Sequence, residues 1–242
     1  MTEQLILSVQ NVTKRFGGLV AVGDMSFDLQ QGDLLSIIGP NGAGKTTLFN
    51  LLTGQLAPSS GHVIFKGRDI SNFAPQARAQ LGLGRTFQIS KTLTSLTALE
   101  NAMIGAFLKR RSLSDAADHA MHILKMVGLA RRANIKAGTL TLSERRRLEI
   151  ARALALDCSV LLLDEVMAGL NQREVEDVIE LVKTLHAEGL TILVIEHNLK
   201  VVRAFRNRVI VMDFGQLIAD GTPEEVLSDP HVIEAYLGKQ SA

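Results

Sequence analysis

Residues 39–47 read Gly-Pro-Asn-Gly-Ala-Gly-Lys-Thr-Thr, a run that sets three glycines, a lysine and two hydroxyls in nine positions. Glycines at this spacing let successive backbone amides converge on an anion where side chains would intrude. Lys45 adds a cation that reaches β- and γ-phosphates, and the Thr46 hydroxyl is a hard oxygen donor for Mg²⁺. The flanks fit the same chemistry. "LLSII" reads as a buried strand and "LFNLL" as a helix, whose positive end points at the same anion. A glycine-rich turn with a surface lysine would explain neither flank. Gly39, Pro40, Asn41, Gly42, Ala43, Gly44, Lys45, Thr46 and Thr47 are therefore expected to hold a nucleoside triphosphate.

Two further strand ends carry reactive groups. "SVLLLDE" closes a buried run with Asp164 and Glu165. In open α/β sheets ligands lie at the carboxyl ends of strands, which directs both acids toward the phosphates. Asp164 is expected to support Mg²⁺ through its water shell and Glu165 to polarise the attacking water. Beside a phosphate loop, this outweighs the reading of two solvated acids. "TILVIEH" ends in Glu196-His197, and a histidine closing a neighbouring strand is placed to contact the γ-phosphate rather than merely cap a turn. Asp213-Phe214-Gly215 matches a kinase tripeptide, but it sits between "RVIVM" and "QLIA" and reads as a hairpin turn. No kinase catalytic loop accompanies it. The Asn-Lys-x-Asp base-reading motif of GTPases does not occur in the sequence.

These groups must be positioned by a core, and the composition supplies one. The chain has 242 residues, 46% hydrophobic and 21% charged, enough for one large domain or a domain with an inserted part. A net charge of +1 provides no broad cationic field for nucleic acid. The sole cysteine, Cys158, cannot close an intrachain disulfide, which makes a reducing compartment the default. "MTEQLILSVQ" lacks the pattern of a signal peptide, and no apolar run approaches the ~18 residues of a membrane span. Work at a membrane would therefore go through a partner.

Short β-rich runs recur at Leu5–Val9, Leu34–Ile38, His62–Phe65, Val160–Leu163, Thr191–Ile195 and Val209–Met212, with helical spacing between several, as in Val175–Leu185. Such alternation predicts an α/β domain with a mainly parallel core sheet. The early strands alternate and are joined by glycine turns at 16–18 and 31–32, which predicts an antiparallel β portion near the N-terminus. From about 90 to 138 the pattern is nearly all helical and suggests an inserted helical subdomain.

The ordered series resembles the ATP-binding subunits of ABC transporters: phosphate loop, "RTFQ" at 85–88, a signature region near 140, "VLLLDE" at 160–165, and His197. The likeness runs from about residue 5 to 238. "KRFGGLVAV" (14–22), "GRTFQISKTLTSLTALENAMIG" (84–105), "RLEIARAL" (147–154), "AGLN" (168–171) and "GTPEEVLSDPHVIEAYLG" (221–238) are similar to the LivG-type subunits of branched-chain amino-acid and urea-amide importers. The resemblance implies a single ABC-type P-loop NTPase domain over 1–242. Residues 1–88 and 139–242 would form the nucleotide-binding core, 89–138 a helical subdomain and 221–242 a helical tail. It further implies that Phe16 stacks on adenine, that Gln88 approaches Mg²⁺ and the attacking water, and that segment 89–138 receives a short helix of a membrane subunit.

The family signature is Leu-Ser-Gly-Gly-Gln at the start of a helix that faces the partner's γ-phosphate. Alignment back from "RLEIARA" sets it on Leu140-Thr141-Leu142-Ser143-Glu144. Thr141-x-x-Glu144 is also a capping box, whereas Ser143-x-x-Arg146 is not, so the helix is expected to begin at Thr141 with the sensing hydroxyl retained. Ser143 stands where the family has a second glycine. Glu144 stands for glutamine, and its charge would oppose a triphosphate by roughly 1–2 kcal/mol at ~10 Å in an effective dielectric of ~20. Arg145, Arg146 and Arg147 could offset it, although at least two of them read as a solvated basic face. Val166 replaces a common proline, and Asn171 a common aspartate that the LivG type also lacks.

The resemblance thus implies an ATP-binding and Mg²⁺-dependent ATPase that powers an importer from the cytoplasmic face of the inner membrane. Two such subunits, this chain with itself or with a LivF-like homologue, would sandwich ATP and drive two permeases served by an external binding protein. The rival readings are a low-turnover regulatory subunit, a lipopolysaccharide-type export ATPase, and a non-transport ABC ATPase of DNA repair or translation. The last is disfavoured by the absence of coiled-coil arms, zinc cysteines and a basic field.

Overall fold

The computed structural model describes residues 4–86 and 92–237. Gln88 lies outside the described residues, as do 89–91 of the expected helical segment and 238–242 of the expected tail. In chain order the elements are β1 (Leu5–Phe16), β2 (Leu19–Gln30), β3 (Leu34–Ile38), α1 (Lys45–Leu52), β4 (Ser60–Phe65), β5 (Arg68–Asp69), α2 (Pro75–Leu81) and β6 (Leu83–Arg85). There follow α3 (Ala98–Ala106), α4 (Leu113–Met126), 3-10 turns at Ala130–Arg132 and Ala137–Thr139, α5 (Leu142–Leu154), β7 (Val160–Asp164) and α6 (Gln172–Ala187). The last are β8 (Thr191–Ile195), α7 (Leu199–Phe205), β9 (Arg208–Asp213), β10 (Gln216–Gly221), α8 (Pro223–Ser228) and α9 (Pro230–Leu237). The backbone forms two compact units, one of 1–78 with 186–242 and one of 79–185.

In the first unit β2, β1, β4 and β5 pair in that order, every pair antiparallel, as the alternating N-terminal pattern predicts. A second sheet runs β10-β9-β3-β8. β3 pairs parallel with both β8 and β9, and β10 returns antiparallel on β9. All five residues of β3 and of β8 are buried, which their continuous apolar runs require of strands covered on both faces. Ser36, the one polar residue of β3, takes a hydrogen bond from the Asn207 amide at 3.2 Å. The register sets Ile37 beside Ile195 and Ile210, so β3 and β8 deliver their following residues to the same edge.

In the second unit β6 lies parallel to β7, with Leu83, Gly84 and Arg85 opposite Val160, Leu161 and Leu162. α3 packs closely on α5 because Gly105 has no side chain: a β-carbon there would lie 2.5 Å from the Arg152 carbonyl oxygen. Segment 92–138 is less helical than expected. Residues 92–97 form a loop pinned by the buried Asn101, whose carbonyl accepts the Leu93 amide while its amide donates to the Leu93 and Thr97 carbonyls. A side chain that satisfies the loop's backbone groups offers the chain an alternative to helix.

Candidate functional site

The phosphate loop leaves β3 at Gly39 and enters α1 at Lys45. Its shape is imposed by close backbone approach. A β-carbon on Gly39 would lie 2.1 Å from the Met212 carbonyl oxygen, and one on Gly44 would lie 2.3 Å from that of Ala21. Gly42 and Gly44 also hold φ of +85° and +97°, where residues with side chains are strained. The turn between β9 and β10 supports the loop from outside, the Gly215 amide donating to the Ala43 carbonyl at 3.0 Å. Asp213-Phe214-Gly215 is thus a hairpin turn, as its flanks predict.

Lys45 is buried, and its ammonium donates to the Gly39 and Pro40 carbonyls at 2.7 and 2.9 Å. Among the described residues no side chain caps the N-terminus of α1, which opens directly out of the glycine loop. Thr46 presents an exposed residue at the second position of the helix, and Thr47 is half-buried. Glycines without room for side chains, a helix N-terminus and a folded-back ammonium form a cradle that fits a chain of phosphates.

Two more predicted residues belong to this unit. Glu196 is buried at the end of β8, with its amide donating to the Ile37 carbonyl at 3.2 Å, and His197 follows it as an exposed residue. The parallel register sends His197 off the same sheet edge as Gly39. Phe16 ends β1 and is 47% exposed, which excludes a core role, and the Lys14 ammonium stands 5.3 Å from its ring centroid.

The second unit carries the acids and the signature. Asp164 is buried at the end of β7, its amide donating to the Thr86 hydroxyl at 3.1 Å. The Arg85 guanidinium lies 3.7 Å from its carboxylate. Burial lowers the Arg85 pKa and the Asp164 charge pulls it back up. Arg85 and Thr86 are the residues that sequence reasoning passed over. The signal that could have found them is the "RTFQ" run itself, which carries both beside Gln88. Glu165 follows with φ +47°, one of the few described non-glycine residues in the left-handed region. Strain of that kind concentrates at functional positions.

Thr141 caps α5 in the predicted capping box. Its hydroxyl accepts the Glu144 amide at 3.2 Å, and the Glu144 carboxylate accepts the Thr141 amide at 3.0 Å. Ser143 sits in the first turn, partly buried. The Glu144 carboxylate also takes a 2.7 Å hydrogen bond from Arg132. Burial pushes this carboxyl up, but the Thr141 amide and the Arg132 guanidinium together hold it below its usual value.

The expected solvated basic face is not found. Arg145 donates to the Leu140 carbonyl at 3.1 Å, Arg146 is buried 3.3 Å from the Glu149 carboxylate, and Arg147 stands 3.5 Å from Asp177. Each is held by a partner, because α5 is flanked by acids and carbonyl ends that its arginines reach. The charge of Glu144 is balanced by Arg132 instead. Asn171, in the place of an aspartate, exchanges hydrogen bonds with Glu174 at 3.0 Å each way and so caps α6. Among the described residues no three His, Cys, Asp or Glu side chains form a metal-binding group.

Comparison with known proteins adds five findings. The sequence model described as "ABC transporter" matches residues 22–168, and that described as "Branched-chain amino acid ATP-binding cassette transporter" matches 216–242. The high-affinity branched-chain amino acid transport ATP-binding protein LivG of Salmonella typhimurium is 40% identical, over 98% of this chain and 99% of that one. The ADP conformation of MJ1267, an ATP-binding cassette of an ABC transporter, superposes with a TM-score of 0.89 at 35% identity, covering 98% of this chain and all of that one. A dimeric bacterial ABC transporter cassette, MJ0796, superposes with a TM-score of 0.81 at 28% identity, over 90% of this chain and 99% of that one.

Proposed function

Because the chain belongs to the ABC transporter family of ATP-binding cassettes and is an ATPase, we propose that it drives uptake of branched-chain or related hydrophobic amino acids as one member of a cassette pair. The observation that carries this reading is the glycine cradle with its folded-back lysine, joined to a C-terminal segment, 216–242, of the branched-chain type.

The chain's own groups divide the work. The amides of 39–46 and the Lys45 ammonium bind the triphosphate, and the strain of the loop keeps them oriented before the substrate arrives. Thr46 and Asp164 are the hard-oxygen groups suited to Mg²⁺, which takes few protein ligands and leaves the rest to phosphates and water. When bound, Mg²⁺ neutralises charge on the β- and γ-oxygens. Glu165 orients and polarises the attacking water, with Gln88 and His197 assisting at the γ-phosphate. Phe16 stacks on the adenine. Thr141 and Ser143 are offered to the ATP of the second cassette, a homologue of this chain or a second copy.

Among the described residues no helix is long and apolar enough to cross a membrane. In this reading force passes to permease subunits by docking at the inner membrane's cytoplasmic face. α3 supports this reading. Ile104 and Phe107, at its end, are 43% and 46% exposed, and Ile104 borders a cleft of about 150 Å³ whose lining mixes Arg85, Glu149 and Arg152 with Ala153 and Leu156. Apolar side chains beside such a cleft suit an amphipathic helix of a partner. Substrate choice would rest with those subunits and an external binding protein.

Steady-state ATP turnover of the purified chain, beside Glu165→Gln, tests the proposal. The expected result is turnover that rises with the square of protein concentration and falls by a factor of about 10² to 10⁴ in the variant, the range of a lost general base. Nucleotide binding without turnover, in the chain alone and with a LivF-like partner, would replace the motor with a regulatory subunit.

A further inference from the structure

The nucleotide reading leaves the buried hydroxyl of Tyr236 without a task. Tyr236, the sole tyrosine of the chain, lies in α9. Its ring packs on a cluster formed by Ile38, Val202, Val209, Val211, Val226 and Val232. Ile38 is the last residue of β3 and directly precedes Gly39. The Tyr236 hydroxyl is buried, and among the described residues it completes no hydrogen bond. A buried hydroxyl left in that state is destabilising and calls for an explanation.

The Gly39 backbone is the polar group that acts on it. Burial raises the phenol to about 12 even though the Gly39 amide acts to lower it. The same helix presents His231 and Glu234 to a cleft of about 1000 Å³, whose other wall includes Pro40, Asn41 and Gly42. α9 therefore flanks the phosphate loop, meeting its first residue through Tyr236 and leaving room along the remainder.

We infer that Tyr236 is a positioning residue for the phosphate loop: its hydroxyl accepts the Gly39 amide as the loop tightens on nucleotide, coupling seating of α9 to nucleotide affinity. The inference rests on the nucleotide reading of residues 39–46. By linkage, whatever seats α9 more firmly tightens nucleotide binding, and nucleotide in turn seats α9.

The single tyrosine makes the contact observable. The full chain is labelled with 3-fluorotyrosine, which yields one ¹⁹F resonance, and is titrated with Mg²⁺–ADP. The resonance is expected to move and to saturate with the nucleotide. Tyr236→Phe keeps the ring and loses only the hydroxyl. It is expected to bind Mg²⁺–ADP about three- to tenfold more weakly, the worth of one hydrogen bond, and to melt without nucleotide no lower than wild type, since the hydroxyl it loses is unpaired in that state. Tyr236→Leu, which also loses the ring packing, is expected to melt lower. Wild type that binds nucleotide while the resonance stays fixed overturns the inference and leaves the nucleotide site standing, whatever the affinity of Tyr236→Phe. Equal affinity in wild type and Tyr236→Phe overturns it likewise. Wild type that binds no nucleotide overturns both readings.

Discussion

The phosphate loop and the signature cap are both turns at helix N-termini that the proposal assigns to an anion, yet they are built from different materials. At the loop the working groups are backbone amides, and the fold defends them by leaving no room for side chains at Gly39 and Gly44. At the cap the working groups are side chains, Thr141 and Glu144, and the fold defends them by pairing, with Arg132 absorbing a charge the family does not usually carry there. A backbone-made site tolerates almost no substitution. A side-chain-made site accepts changes that can be re-paired locally. The intact loop and the drifted signature follow from that difference.

The contrast breaks first at the glycines. Gly44→Ala sets a β-carbon 2.3 Å from the Ala21 carbonyl oxygen and forces φ +97° on a residue with a side chain. Mg²⁺–ADP affinity measured by calorimetry is expected to fall by about a hundredfold or more, from strain and overpacking together. Gly42→Ala meets nothing within 4 Å and bears only the strain of φ +85°, so its expected loss is about tenfold. Equal, small losses in the two variants would show that the close approach does not shape the loop.

This difference in material also governs how much could be read from the sequence. Glycines at fixed spacing are their own evidence, and strands such as Leu34–Ile38 and Thr191–Ile195 follow from continuous apolar runs that only doubly covered strands need. The capping box was legible because it is local, spanning the four residues Thr141 to Glu144. What was not legible is pairing at a distance in sequence. Arg132 on Glu144, Thr86 on Asp164 and Asn101 on the 93–97 loop depend on where the fold returns the chain, and no periodicity records that. Nor does any sequence rule foretell the left-handed backbone of Glu165. Of the arginines 145–147 only Arg147 follows this rule, reaching Asp177, whereas Arg145 and Arg146 are held close by, at Leu140 and Glu149.

Asp164 sharpens the comparison, because its position depends on a side chain. Thr86→Val removes the hydroxyl that accepts the Asp164 amide at 3.1 Å and leaves a buried N–H unpaired. Denaturant unfolding is expected to show a loss of about 2 kcal/mol. Turnover should drop by about tenfold as the carboxylate loses its fixed direction, with Mg²⁺–ADP affinity changed far less. Thr141→Ala should matter less again. Loss of the cap is expected to remove about 1 kcal/mol of stability and to slow turnover several-fold, with Thr141→Ser restoring both. Failure of serine to rescue would mean that the threonine methyl, and not the hydroxyl, is what the cap requires.

The smallest effect belongs to the charge on Glu144, and its sign follows from the direction of its pKa. The folded state holds the carboxyl below its ordinary 4.5, against the upward push of burial, through the Thr141 amide and Arg132. A group depressed in this way contributes stability that is present above its unfolded pKa and disappears as pH falls through the folded value. Glu144→Gln keeps an oxygen to accept the Thr141 amide but loses the charge. Wild type should therefore melt above this variant at neutral pH, by less than about 1 kcal/mol as befits a solvent-screened pair, and the gap should close as pH drops below 4.5. Arg132→Ala should shrink the same gap at neutral pH. If wild type and Glu144→Gln instead differ by an amount that does not change with pH, the carboxylate is not engaged by its neighbours. Its charge would then be left to act on the triphosphate, and Glu144→Gln would turn over ATP faster than wild type.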